Sequence, residues 1–222
     1  MTEVAEPVKR PYRSPRRQEQ AEQTRERVLD AAGELFLERG YERATIAAIA
    51  AAAGVADETV YGHFGNKRTL LGQLRQRAVR GGDPRPVLEQ EGPRRLAAAT
   101  DQREQLGVFA SDVARRLERA APLVAVVAAG AAGEPELQAL LDRLHADRRR
   151  NLRGLVAALT ANRPLRLEPG AAVDTVWALT SPELHQLLRT RRGWSARRYT
   201  TWLVDALAAQ LLRDDESCRA PR

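Results

Sequence analysis

The sequence predicts an all-α protein: an N-terminal three-helix unit containing a helix-turn-helix, joined by a linker helix to a C-terminal helical bundle. Three observations carry this. Apolar residues make up 43% of the 222 positions but aromatics only 5%, with Ala, Leu and Val supplying most of the apolar share. Apolar positions recur at helical spacing along most of the chain, and no alternating pattern competes as strand. Gly and Pro punctuate that pattern closely enough to cut three helices before residue 66.

In chain order, residues 1–21 set Pro7, Pro11 and Pro15 among Lys9, Arg10, Arg13, Arg16 and Arg17 with few apolar residues, the composition of a disordered basic arm. From Glu22 onward, Val28, Leu29, Ala32, Leu35 and Phe36 share one helix face, and Gly40 supplies a stop. Thr45 is placed to cap a second short helix with Ile46, Ile49, Ala50 and Ala53 inward, and Gly54 permits the left-handed backbone of a tight turn. A third helix runs over 56–64. Asn66 can cap a fourth, carrying Leu70, Leu71 and Leu74, which the breakers at 81–86 terminate. Residues 22–80 thus form one unit. Beyond them, 101–121, 122–130 and 134–159 read as separate helices, Pro122 being tolerated at a helix start. An apolar stripe through Val173, Val176, Trp177 and Leu184 is interrupted at Pro182. Ser195 then caps a last helix through Tyr199, Trp202, Leu203 and Ala206. The second domain spans 94–213, and 214–222 form a flexible tail.

Lys and Arg number 36 against 29 acids, a formal charge of +7, which favours a polyanionic partner. No run approaches the ~20 apolar residues of a membrane span, and the N-terminus has no apolar signal core, so a cytoplasmic protein with no membrane partner is expected. Cys218 stands alone in a polar tail, without the neighbours a zinc site requires; neither a metal nor a cofactor is expected. Ser111-Asp112 and the histidines form no catalytic motif, and no phosphate loop or nucleophile elbow is present, so an enzyme is not expected.

Residues 45–64 meet the needs of a helix-turn-helix: small Ala50 at the helix contact, Gly54 in the turn, Val55 to pin the second helix, and Val60 and Phe64 facing inward. A plain helical hairpin would explain those apolar positions, but not the clustered Thr59, Tyr61, His63 and Lys67. Gly54-Val55, Thr59-Val60-Tyr61, His63-Phe64, Asn66-Lys67 and Leu70-Leu71 together resemble the DNA-binding signature of the TetR family, a likeness that extends over about 24–74. Trp177-Ala178-Leu179, Ser181-Pro182-Glu183-Leu184 and Gly193-Trp194 also resemble the C-terminal part of many such regulators, notably actinobacterial ones.

The resemblance implies that Thr45, Tyr61, His63 and Lys67 contact phosphates while Ala56, Asp57 and Thr59 lie near base edges. Hydroxyl, imidazole and ammonium groups are suitable phosphate donors; the Tyr61 ring has the alternative role of packing on the first helix. Asp57-Glu58 departs from the pattern, placing two acids toward a polyanion. Either they complement the helix dipole, or Asp57 accepts from a cytosine N4 amine in the major groove. Arg13, Arg16 and Arg17 are a candidate DNA-binding arm, with a solvated tail as the alternative.

The resemblance further implies that 94–213 is a ligand-binding and dimerisation domain whose last two helices pair about a two-fold axis. Val176, Leu184, Tyr199, Trp202 and Ala206 are then candidates for the dimer interface, which periodicity alone does not separate from core. Phe109, Val113, Val127, Leu141, His145, Trp177 and His185 are candidates for a ligand pocket, again with core as the alternative. The implied function is a homodimeric, sequence-specific regulator on palindromic double-stranded operator DNA, a repressor released by a small-molecule effector. An activator, or a regulator without a ligand, fits the same residues. A helical interaction protein that uses the helix-turn-helix only for packing is the reading from another class.

Overall fold

The computed structural model describes residues 15–213. Its elements are α1 (Pro15–Arg43), α2 (Ile46–Ala53), α3 (Asp57–Phe64), α4 (Lys67–Arg80), α5 (Glu91–Ala98), α6 (Gln102–Ala131), α7 (Pro135–Asn162), α8 (Pro169–Leu179), α9 (Pro182–Gln186) and α10 (Ala196–Leu211), with a 3-10 turn at Val87–Glu89 and a π-helical turn at Leu187–Arg191. No strand occurs among the described residues.

Local chemistry sets most boundaries. The Thr45 hydroxyl accepts from the Ala48 amide at 3.1 Å and the Asn66 carbonyl oxygen from the Thr69 amide at 2.8 Å, starting α2 and α4. Asp101, Ser181 and Ser195 cap α6, α9 and α10 in the same way. Each such cap satisfies one of the amides a helix start leaves without an internal acceptor.

Gly40, with φ 75° and ψ 178°, stops the helical backbone as expected, and a further helical turn follows to Arg43. Two expectations need correction. The arm expected to be disordered through residue 21 is helical from Pro15, because α1 extends its pattern well before Glu22. Pro122 does not separate two helices: α6 passes through it unbroken. Pro122 has no N–H for the Glu118 carbonyl, and a Pro inside a helix costs about 3 kcal/mol. The helix persists because Ala121, Leu123, Val124 and Val127, which follow or flank the Pro, are all buried.

The buried residues fall into two cores. The first gathers Val28, Leu29, Phe36, Ile49, Val60, Phe64, Leu70 and Leu71 from α1–α4, and it takes in Leu123, Val127 and Ala131 of α6 and Leu137 of α7. The chain break at 81–86 is therefore not a break in packing. The second core joins Leu106 and Ala110 of α6, Leu155, Val156 and Leu159 of α7, Val173 and Val176 of α8, and Tyr199, Leu203 and Leu207 of α10. Burying each large apolar side chain contributes roughly 1.5–3 kcal/mol before entropy is counted.

α6 and α7 pack antiparallel. At one end the Gln102 amide donates to the Leu159 and Arg163 carbonyls at 2.8 and 2.7 Å. At the other, a Cβ added to Gly130 would lie 2.5 Å from Leu137 Cδ1, so only glycine allows this approach beside Tyr41 without displacing Leu137.

Candidate nucleic-acid interface

α2 buries Ile49, Ala50 and Ala53. Gly54, at φ 66° and ψ 42°, turns the chain in the left-handed region that a side chain would strain. The Val55 amide then donates to the Ala50 carbonyl at 3.0 Å, which fixes the start of the next helix. α3 buries Val60 and Phe64. Its other face carries exposed Ala56, Glu58, Tyr61 and Gly62 and half-buried Asp57, Thr59 and His63. Thr45 is exposed at the start of α2. Tyr61 is 52% exposed, so its ring is not spent on packing against α1. The structure thus gathers Thr45, Ala56, Asp57, Thr59, Tyr61 and His63 on the two helices of one turn.

Lys67, expected to face phosphate, is drawn inward: its ammonium donates to the Tyr41 carbonyl at 2.8 Å and the Glu42 carbonyl at 3.4 Å. The third ammonium proton remains uncommitted. α4 is held along its length. Arg77 pairs with Glu26 at 2.7 Å and Asp30 at 2.8 Å, Arg25 reaches Gln73 at 2.8 Å, and Arg68 pairs with Glu136 of α7. At its end, Arg119 and Arg116 of α6 donate to the Ala78 and Val79 carbonyls, each at 2.8 Å, positive groups where the helix dipole is negative. Of the arm, Arg16 and Arg17 are exposed in the first turn of α1; Arg13 lies outside the described residues, as do Cys218 and the tail.

A cavity of about 800 Å³ opens between α4, α5, α6, α7 and the α8–α9 junction. Phe109, Val113 and His145 line it, as the sequence suggests. Four other candidates do not. Val127 and Leu141 belong to the first core, on the helix turns that pack against α1–α4. Trp177 stands behind the wall, its carbonyl accepting from Arg148 at 2.7 Å and its ring centre 4.6 Å from that guanidinium. His185 is buried edge-on against Tyr199, ring centres 4.9 Å apart.

Sequence reading missed the charged wall: Arg75, Asp112, Arg116, Asp147 and Arg148 all line the cavity. Arg116 is clipped to Asp112 at 2.7 Å and to Gln90 at 2.9 Å. Burial lowers the Arg75 guanidinium, and lowers that of Arg148 to about 10. A signal was present. Arg75 has Leu71, Gly72, Ala78 and Val79 at helical spacing, and Arg148 has Leu144 and Leu152; an arginine on such a face is directed inward.

His185 Nε2 lies 3.3 Å from Glu118 Oε2 but is not aligned to hydrogen-bond it. Desolvation lowers the His185 pKa despite that carboxylate. Glu118 is itself held below its usual range, chiefly by hydrogen bonds from Arg189 at 2.9 and 3.0 Å.

Of the dimer candidates, Val176 and Tyr199 are fully buried within the chain's own second core and present nothing to a partner. Leu184, Trp202 and Ala206 are half-buried, and Leu187 beside them is 48% exposed.

Residues 28–74, from α1 into α4, match the family described as bacterial regulatory proteins, tetR family. Over 59 residues the chain is 42% identical to the HTH-type transcriptional regulator TtgR of Pseudomonas putida, covering 27% of this chain and 28% of that one. It is 37% identical to the HTH-type transcriptional repressor BepR of Brucella suis, covering 39% of this chain and 48% of that one. The chain thus spans less than half the length of these curated relatives. The crystal structure of NalD from Pseudomonas aeruginosa is alike over 88% of this chain and all of that one, with a TM-score of 0.67 and 25% identity. These relatives are transcription regulators rather than enzymes. Over residues 28–74 the chain is thus similar to the TetR family of bacterial regulatory proteins.

Proposed function

We propose that the chain is a homodimeric, sequence-specific transcription regulator that reads duplex DNA with α3 and is released by a small molecule held in its cavity. The observation that carries this reading is the α2–α3 corner, a turn at Gly54 with one face of α3 in the core and the other exposed. Thr45, Tyr61 and His63 are suited to phosphate contacts, joined by the remaining donor of Lys67, while Ala56, Asp57 and Thr59 lie toward base edges. Arg13, with Arg16 and Arg17 in the first turn of α1, adds phosphate contacts. Repression is favoured by the roles of two similar proteins: BepR is a transcriptional repressor, and NalD the secondary repressor of the MexAB-OprM multidrug efflux pump.

A single short recognition helix reads too few base pairs, so two-fold pairing over a palindromic operator supplies the rest. Leu184, Leu187, Trp202 and Ala206 supply the pairing surface. In this reading 22–80 is the DNA-binding unit and 94–213 the ligand and dimerisation unit, acting inside the cytoplasm; no described helix is long and apolar enough to cross a membrane. Release follows from α4, which leads out of α3 and forms one wall of the cavity. A ligand that favours another position of α4 changes the spacing of the paired α3 helices.

Titrating full-length protein into a fluorescent duplex chosen by selection tests this. Thr45→Ala and Tyr61→Ala should each weaken binding by about 1–2 kcal/mol with the dimer intact. Unchanged affinity in both would remove α2–α3 as the DNA-binding surface.

A further inference from the structure

We propose that the cavity binds an amphiphilic organic anion, its acidic group between Arg75 of α4 and Arg148 of α7 and its apolar body along Leu96, Phe109, Val113 and Leu155. This rests on the ligand-responsive reading above and specifies the class of ligand.

Two buried guanidinium atoms on the cavity wall have no hydrogen-bond partner, Nε of Arg75 and Nη2 of Arg148. Arg148 is oriented but not neutralised. Its Nη1 donates to the Trp177 carbonyl at 2.7 Å and the Thr180 hydroxyl at 3.2 Å, and its plane lies by the Trp177 ring, all uncharged partners. Arg75 has no carboxylate within ion-pairing distance among the described residues. The carboxylates on the wall are already engaged: Asp112 with Arg116 and Arg115, and Asp147 with Arg150. The other ionisable wall groups, Arg80 and His145, bring no negative charge. Asp147 and Glu183 attract Arg75 and Arg148 only from beyond ion-pairing distance; a partly buried cation without a paired counter-charge is costly, and an anion entering from solvent reduces that cost at both arginines.

The antiparallel packing of α6 and α7 orders the cavity end to end. Phe109 and Val113 belong near the Gln102 end of α6, opposite Leu155 and Ala158 of α7. Ala121 and Val124 belong nearer Gly130, opposite Leu144, and Arg148 stands between the two ends, about level with Arg116. From Phe109 to Val124 the wall runs roughly 22 Å along the helix. The Phe109 end is apolar, and Arg148 stands about midway, across from α4, the helix that bears Arg75. An anion held by both arginines links α4 directly to α7, so charge recognition and the position of α3 are joined through one helix.

The test compares 1-anilinonaphthalene-8-sulfonate with N-phenyl-1-naphthylamine, the same aromatic body with and without an acidic group, titrated into the full-length protein by fluorescence. The sulfonate should bind at one site per chain about tenfold more tightly than the neutral amine. Arg75→Gln and Arg148→Gln should each remove about tenfold of the sulfonate affinity and leave the amine unchanged, which shows the cavity still formed. Equal affinity of the two probes for the unaltered protein would overturn the proposal, as would sulfonate binding insensitive to both substitutions or a parallel loss of both probes. Duplex binding measured on the same samples separates the two readings. Intact duplex binding without a sulfonate preference overturns only the anion proposal, and a sulfonate preference without duplex binding overturns only the regulator.

Discussion

The Lys67 ammonium donates to the Tyr41 carbonyl at 2.8 Å and sits 4.1 Å from the centre of that residue's ring. Tyr41 is a fixed platform, buried and stacked on Phe36 with ring planes 8° apart. One side chain at the start of α4 therefore supplies donors to carbonyls at the end of α1, just past the break at Gly40, where a helix lacks internal partners. The α3–α4 corner is set by this contact as much as by its own turn.

Lys67→Met should accordingly lower stability by about 1–2 kcal/mol in urea denaturation, because hydrogen bonds to a charged donor are lost at a partly buried site. If stability is unchanged and only the salt dependence of DNA binding falls, Lys67 acts on phosphate alone.

Arg116 joins α6 to the end of α4 through Val79 and to Asp112 and Gln90, and the Arg116 and Asp112 side chains are only 12% and 18% exposed. Arg116→Met leaves Asp112 without its main partner and should cost about 3 kcal/mol. Arg115, 63% exposed beside the same carboxylate, should cost under about 1 kcal/mol when changed to Met. Equal effects in chemical denaturation would contradict the assignment of the clip to Arg116.

Asp57 occupies the first turn of α3 with Glu58, and Ala56 before them offers no side-chain cap. One acid suffices for the helix dipole, so Asp57 is free to read a base. Selection of preferred duplexes with Asp57→Asn should relax the preference at one position per half-site; an unchanged preferred sequence assigns both acids to the dipole.

The parts of this fold legible in the sequence are those governed by neighbours in the chain. Thr45, Asn66 and Ser195 cap helices because a short polar side chain reaches an amide three residues on, whatever the tertiary context. Pro122 does not start a helix because burial around it, set by distant helices, outweighs a local rule. Val176 and Tyr199 lie on apolar faces as expected, but periodicity does not say whether the covering surface is this chain or another copy. The pocket expected from sequence is apolar but for His145 and His185, and its arginines emerge only once α4, α6 and α7 are placed together.

His185 supplies a pH dependence. Burial lowers its pKa below the ordinary 6.5, so the unfolded chain takes up a proton more readily than the folded one. The stabilisation is present above 6.5 and is lost as pH falls through the lower folded value. His185→Phe keeps a ring against Tyr199 and should flatten the change in thermal midpoint between about pH 5 and 7. Loss of stability from Glu118 belongs to a separate window below its ordinary 4.5 and should persist in the variant because Arg189 remains. An unaltered slope between pH 5 and 7, about the ordinary His range, would remove His185 as the source.

Selection of duplexes from a random pool by the full-length chain tests the central claim most directly. The α2–α3 corner and a paired C-terminal surface predict enrichment of a two-fold symmetric sequence, its half-sites a helical turn or a multiple of it apart, bound about tenfold more weakly by Tyr61→Ala. A pool that enriches no symmetric sequence, or an enriched sequence that Tyr61→Ala binds with unchanged affinity, would contradict it.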